Sequence, residues 1–160
     1  MALTVRMKQL TQLTSRQRSY LGRAVMELLT ARLRFGFQSI DRITGDFKRP
    51  VAPRQPVSLI DLDEVRWAIA AASSHAPWRS DCLIQAMAVT RWLRRRGVST
   101  NFYLGVKKDD ASQLTAHAWV TSGEKLVSGG SERGFQPLIT PDQVAHTARH
   151  VRDGRSMRLW

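Results

Sequence analysis

Apolar residues recur every three or four positions after residue 14, which is the periodicity of a helix with one buried face. Thr14 and Gln17 have the spacing of a capping box, in which two side chains satisfy the first free N–H groups of a helix. Leu21 and Leu28 then share one face. The pattern predicts an amphipathic helix from Thr14 to about Phe37. Such a helix usually packs on its own domain, and the alternatives are a docking surface for a partner protein or a membrane surface.

A proline-rich stretch separates this helix from the next helical pattern. Residues 44–57 predict an ordered linker, because prolines and a glycine interrupt regular structure there: Gly45, Pro50, Pro53 and Pro56. Asp61 and Glu64 form a second N-cap pair, and an apolar stripe follows them. This predicts a helix that continues to about Ser73.

The third predicted helix, from about Asp81 to Arg96, contains the only cysteine of the chain, Cys82. Gly97 follows as a C-terminal cap, since glycine readily adopts the left-handed conformation that ends many helices. The thiol points toward the buried side, because it shares one helical face with three apolar residues: Ala86, Val89 and Leu93.

The hydrophobic period then changes from helical to alternating. Residues 101–106 and 116–121 predict two strands, and a tight turn at Ser122 and Gly123 leads to a short third strand at 125–127. Thr140 and the residues after it predict a last helix that ends near residue 152. Helices followed by an antiparallel meander indicate an α+β fold.

The composition narrows the class of protein. A chain of 160 residues that is 42% hydrophobic forms one domain with a core. A single cysteine cannot form an internal disulfide, and together with the lack of a secretory signal this predicts a cytoplasmic protein. No apolar run has transmembrane length. The net charge of +12 attracts polyanions, acidic peptides or anionic lipid without selecting among them.

Cys82 and His117 are the candidates for nucleophilic chemistry. The partial positive charge at a helix N-terminus favours a thiolate, and a neighbouring imidazole would complete the activation. Each residue also has a plainer interpretation: a lone cysteine often serves as a small buried hydrophobe, and a strand histidine is often half-buried and hydrogen-bonded. Their separation of 35 residues permits a pair but does not require one.

The order of motifs resembles the transglutaminase-like leader peptidases of lasso-peptide biosynthesis, over roughly residues 58–139. The resemblance is carried by Cys82-Leu83 at a helix start and by three later runs: Trp92 to Val98, Leu104 to Val106, and Ala116 to Val120. It implies a bacterial protein with a papain- or transglutaminase-like fold and no cofactor. It also implies that Cys82 is the nucleophile and His117 the general base. The substrate would be a ribosomally made precursor, whose freed core a separate macrolactam cyclase closes.

The chain departs from this family pattern at the third catalytic position. Many members have an acidic residue about a dozen positions beyond the histidine, whereas residues 127–130 contain no carboxylate. Ser128, a backbone carbonyl, Asp109 or Asp110 are the alternatives for orienting the imidazole. The indole of Trp78 is a candidate helper for an oxyanion hole formed by backbone N–H groups at the helix start.

A second departure is size. Longer relatives carry an upstream winged-helix domain that binds the leader, and the 57 residues before the matched region are too few for it. We therefore expect a stand-alone peptidase served by a separate leader-recognition protein, which docks on the helix within residues 21–37. The predicted division is an arm and linker at 1–57, a peptidase domain at 58–152 and a basic tail at 153–160. Deletion of residues 1–40 is expected to leave the peptidase domain folded.

The alternative function is a basic nucleic-acid-binding or peptide-binding scaffold without catalysis. No recognition-helix, ribonucleoprotein-like or zinc-knuckle motif supports specific nucleic-acid binding. His146 and His150 lie four residues apart, but no glutamate follows the first histidine as in zinc proteases. The sequence therefore predicts no metal site.

Overall fold

Four helices precede four strands in the parts of the chain that the structure describes, which are residues 13–48, 62–108, 114–130 and 134–139 of a computed structural model. The helices are α1 (Ser15–Phe37), α2 (Ile40–Lys48), α3 (Leu62–His75) and α4 (Cys82–Arg95). The strands are β1 (Asn101–Lys108), β2 (Leu114–Ser122), β3 (Lys125–Ser128) and β4 (Gln136–Ile139).

The capping box at the start of α1 has both of its hydrogen bonds. The backbone N–H of Gln17 donates to Thr14 Oγ1 at 3.2 Å, and the Thr14 N–H donates to Gln17 Oε1 at 3.0 Å. Ala24, Leu28 and Ala31 are buried along one face of the helix. The predicted boundaries of this helix are therefore confirmed, and its apolar face packs against α3 and α4.

A buried ion pair joins α1 to α4. Glu27 is only 2% exposed, and its carboxylate lies 2.8 Å from the guanidinium of Arg23 and 3.0 Å from that of Arg91. Burial lowers the pKa of Arg91, and the negative charge of Glu27 partly opposes this effect. The carboxylate is thus the charge that compensates a partly buried cation between two packed helices.

Part of the predicted linker is helical, which corrects the expectation for residues 44–57. The helix α2 includes residues 44–48, and Ile43 on it is buried in the core. Two contacts hold the end of this helix: Arg94 donates to the carbonyl oxygens of Asp46 and Phe47, and the ring of Phe47 packs on Phe102 at 5.4 Å. These partners lie about 50 residues away in sequence, so local composition did not reveal them.

Local hydrogen bonds define both ends of α4. At its start, the side chain of Asp81 accepts from the N–H of Ile84 at 3.2 Å. At its end, Gly97 has a φ of 75°, and its N–H donates to the carbonyl of Arg94 while the N–H of Val98 donates to that of Leu93. This is a Schellman motif, so the predicted glycine cap is confirmed.

The strands form one antiparallel sheet with the order β3-β2-β1-β4. The first three strands follow the predicted meander, and β4, which had not been predicted, pairs with the other edge of β1. The strand β3 pairs with only residues 120–122 of β2. The preceding half of β2 therefore has a ladder partner on one side only, among the described strands.

The helices cover one face of this sheet. Ala118, Val120 and Phe102 point into the helical layer and are buried in a common core. Trp119 is also buried but lies outside this core, because alternate residues of a strand point to opposite faces. The result is the predicted α+β fold, with helices packed on a small antiparallel sheet.

Several predictions fall outside the described residues. They concern Asp61, the loop acids Asp109 and Asp110, the last helix near residues 140–152, and the tail at 153–160. The predicted division into arm, domain and tail stays a prediction, although α1 contributes to the same core as α3 and α4. Among the helices in the described ranges, none has the length and apolar character needed to cross a bilayer.

Candidate active site

Cys82 is the first residue of α4, directly after the capping Asp81. The cap satisfies the N–H of Ile84, and the carbonyl of Asp81 accepts from Gln85, so the N–H groups of Cys82 and Leu83 have no acceptor within the helix. The thiol is free and half-buried, and it packs beside the core. This position offers a nucleophile next to unpaired backbone donors.

The loop before Cys82 holds two polar groups without partners. Trp78 packs partly buried against the core, and its Nε1 is buried with no hydrogen-bond acceptor among the described residues. The hydroxyl of Ser80 is likewise buried and unpaired within those residues. A role for Trp78 at an oxyanion therefore stays a prediction, but its indole N–H is not engaged by another described group.

The imidazole of His117 contacts the carbonyl oxygen of Gly129 through Nε2. A carbonyl oxygen can only accept a hydrogen bond, so this contact places the proton of a neutral ring on Nε2. The other ring nitrogen, Nδ1, then carries the free lone pair. In the neutral ring, Nδ1 is therefore the atom that could accept a proton as a general base.

Aromatic side chains enclose the ring of His117. Phe135 lies 4.9 Å away between ring centroids, and Trp119 lies 6.0 Å away on the same face of β2. Trp119 in turn stacks on Tyr103 at 5.3 Å. Gly105 leaves room for the indole, because a Cβ there would lie 2.9 Å from two of its carbon atoms. The imidazole therefore belongs to a group of aromatic rings on the face of the sheet opposite α4.

The structure distinguishes among the groups proposed to orient His117. Gly129 lies twelve positions beyond the histidine, where the resemblance described above led us to expect an acid, and its carbonyl oxygen contacts the ring. The hydroxyl of Ser128 is buried and has no partner among the described residues, so it does not orient the ring. Asp109 and Asp110 lie outside those residues. The sequence allowed a backbone carbonyl but did not indicate which one.

The position of His117 on the sheet defines how the thiol could reach it. The ring lies on the face that carries Trp119, whereas α4 packs on the face of Ala118. The ring and α4 therefore lie on opposite faces of the sheet, and beside the ring β2 has no ladder partner on the side of β3 among the described strands. Within the described residues no hydrogen bond joins Cys82 to His117, and their pairing stays a prediction.

The described residues contain no cluster of three histidine, cysteine, aspartate or glutamate side chains that could hold a metal ion. His146 and His150 lie outside the described ranges, so the structure does not place them.

The comparison with protein families gives a match for this chain. The profile of the transglutaminase-like superfamily matches residues 25–140, which is well over half of the chain. The match begins within α1, so it includes most of the helix that packs under α4. No curated protein and no solved structure matches the chain with significance. The chain belongs to the transglutaminase-like superfamily.

Proposed function

We propose that this protein is a cysteine peptidase that removes the leader from a ribosomally made lasso-peptide precursor. Membership of the superfamily and the place of Cys82 at a helix start support the use of a thiol nucleophile. One observation carries the assignment of the base: the Gly129 carbonyl contacts Nε2 of His117, so that Nδ1 is the basic atom of the neutral ring. The order of motifs along the chain supports the choice of a leader peptidase within the superfamily.

The proposed reaction has two steps. In the first, Nδ1 of His117 takes the proton of Cys82, and the thiolate attacks the scissile carbonyl. The N–H groups at the start of α4 stabilise the oxyanion, helped by the indole of Trp78. The peptide C–N bond then breaks, the imidazolium returns its proton to the leaving amine, and the leader remains bound to Cys82 as a thioester.

The second step releases the leader. The same imidazole takes a proton from water, and the hydroxide attacks the thioester carbonyl. The C–S bond breaks, the leader leaves as a carboxylic acid, and the proton returns to the sulfur. The Gly129 carbonyl stabilises the transient imidazolium as a hydrogen-bond acceptor, where a carboxylate would stabilise it more strongly through its full charge. We therefore expect slower turnover than in relatives with an acid at this position.

The proposal includes partners and a compartment. A separate leader-recognition protein of the winged-helix type delivers the precursor, and a macrolactam cyclase consumes the freed core. The reaction takes place in a bacterial cytoplasm and needs no cofactor. The exposed side chains of α1, among them Met26 and Phe37, are the proposed contact with the recognition protein.

The decisive experiment follows cleavage and the thioester together. The protein is incubated with its recognition protein and with short precursors encoded beside its gene, quenched in acid, and analysed by mass spectrometry. Cleaved leader and an acyl adduct on Cys82 are expected for the wild type. Cys82→Ala should give neither product, and wild-type cleavage by Cys82→Ala would refute the proposal.

The pairing of Cys82 with His117 has a test that needs no precursor. If the imidazole generates the thiolate, His117→Gln should slow alkylation of the thiol by iodoacetamide at neutral pH by about tenfold. His75→Gln is the matched control, because His75 is an exposed histidine at the end of α3. Its Nδ1 is hydrogen-bonded to the carbonyl oxygen of Ala71. Equal alkylation rates in the wild type and His117→Gln would show that the two groups do not act together.

A further inference from the structure

An apolar groove lies between α1, α3 and the loop that leads to Cys82. Its volume is about 500 Å³. The α1 wall includes Leu21, Val25 and Leu28, the α3 wall includes Trp67, and the loop supplies Trp78. Val25 is 39% exposed and Trp67 is 37% exposed, so two large apolar side chains face solvent across the opening. Trp78, proposed above to help at the oxyanion, is the one groove residue that the catalytic steps use.

Arginines bracket the α1 wall of the groove. Residues 18, 21, 25, 28 and 32 follow one another at intervals of three or four, so they form one stripe along the helix. The stripe begins with Arg18 and ends with Arg32, and both side chains are exposed. The only acid on α1 is Glu27, which is buried and paired with Arg23 and Arg91. The groove thus presents apolar walls with a positive charge at each end and no exposed carboxylate on this helix.

The groove is also close to the nucleophile along the chain. Trp78 precedes Cys82 by four residues, a stretch that spans at most about 14 Å. The volume of the groove accommodates a few apolar side chains. A stable interface between two folded proteins instead buries about 1,600 Å² over a broad surface. A short peptide segment therefore fits the groove better than a folded partner.

We infer that this groove binds an acidic, amphipathic segment of the peptide substrate and holds the scissile bond near Cys82. The inference rests on the proposed function, because it names the substrate of the same thiol. Apolar side chains of the segment enter between Val25 and Trp67. Its carboxylates pair with Arg18 and Arg32. Specificity then comes from apolar and acidic residues on one side of the cleavage site.

Binding is tested with Cys82→Ala, so that no cleavage occurs during the measurement. The probe is a fluorescein-labelled synthetic peptide in which leucines recur every three or four residues among glutamates. A second peptide has lysine in place of glutamate, and a third has serine in place of leucine. Fluorescence anisotropy should show that the leucine–glutamate peptide binds at least about tenfold more tightly than either of the others.

Matched variants locate the site. Val25→Glu should weaken binding by about tenfold or more, because it puts a like charge into the apolar wall. Leu138→Glu is its control, since this apolar side chain on β4 is 57% exposed and does not line the groove. Arg18→Glu should weaken binding several-fold at low salt and much less at high salt. Arg95→Glu makes the same charge change on an exposed residue of α4 and should have no effect.

Four results would overturn the inference. If the serine peptide bound as tightly as the leucine–glutamate peptide, binding would come only from general attraction by the net charge of +12. The same would follow if Arg95→Glu and Arg18→Glu lost equal affinity for the peptide. No binding of the leucine–glutamate peptide would also reject it. A gain of about tenfold on removal of residues 1–12 would mean that the chain itself fills the groove next to Leu13. Failure of the peptidase proposal is separate, since it appears as absent cleavage by wild type with binding intact.

Discussion

The carbonyl oxygen of Gly129, and not a side-chain carboxylate, contacts Nε2 of His117 among the described residues. The backbone reaches the ring because Gly129 has a φ of 103°, in the left-handed half of conformational space. The residue also fits tightly against the sheet, since a Cβ there would lie 2.4 Å from the Cβ of Trp119. The same glycine therefore provides the acceptor and permits its close approach.

Gly129→Ala should displace this carbonyl. Strain at a positive φ and the clash with Trp119 together should lower the free energy of unfolding by about 2 to 4 kcal/mol. Gly130→Ala is the control, because it has a φ of 61° and nothing within 4 Å of its Cβ, so a loss of about 1 kcal/mol is expected. Urea denaturation measures the change in the free energy of unfolding for both variants. A similar loss in the two variants would show that the contact with Trp119 is not restrictive.

The ends of the helices depend on hydrogen bonds between near neighbours in sequence. Thr14, Asp81 and Gly97 each occupy a position that their residue type favours for a local reason. Their partners lie within five residues, which is why the boundaries of α1 and α4 could be predicted before the structure was known. The helix α2 escaped prediction because it is held by Arg94 and Phe102 from distant parts of the chain.

Gly97 and Gly22 should respond in opposite ways to alanine. Gly97→Ala places a Cβ at a φ of 75° and should cost about 1 kcal/mol of unfolding free energy. Gly22→Ala lies inside α1, where a Cβ would have nothing within 4 Å, and should stabilise the protein by about 0.5 to 1 kcal/mol. Thermal unfolding followed by circular dichroism reports both. Stabilisation by Gly97→Ala would contradict the Schellman motif.

The helical layer forms one core with the sheet, and α1 is part of it. Ala24, Leu28 and Ala31 are at most 1% exposed, and Glu27 pairs with Arg91 of α4. Docking of a partner on α1 is thus restricted to its outer surface. The family match from residue 25 onward agrees with an α1 that belongs to the domain.

Deletion of residues 1–40 should therefore unfold the protein, contrary to the expectation from the sequence. The truncation exposes apolar surface of α3 and α4 and leaves Arg91 without the Glu27 carboxylate. Circular dichroism should show loss of cooperative unfolding. Deletion of residues 1–12 is the control and should keep a cooperative transition, since Thr14 still caps α1. A cooperative, native-like transition in the longer deletion would show that α1 is dispensable.

The buried ion pair offers a second test of how α1 joins α4. Glu27→Leu should lower the free energy of unfolding by about 2 to 3 kcal/mol, because it leaves a partly buried guanidinium uncompensated. Adding Arg91→Leu should recover most of that loss, since two apolar residues can replace a buried pair. Chemical denaturation of the two single variants and the double variant gives the coupling free energy between Glu27 and Arg91. Additive losses would indicate that the two charges do not interact.

The sequence by itself determined where α1 and α4 begin and end, which residues of α4 face the core, and the α+β order of helices before strands. These features follow from side-chain periodicity and from hydrogen bonds between residues close in the chain. Only the tertiary structure decided that the Gly129 carbonyl orients His117, that β4 pairs with β1, and that an apolar groove opens beside Trp78. Each of these depends on contacts between residues far apart in sequence, whose partners become known only when the chain is folded.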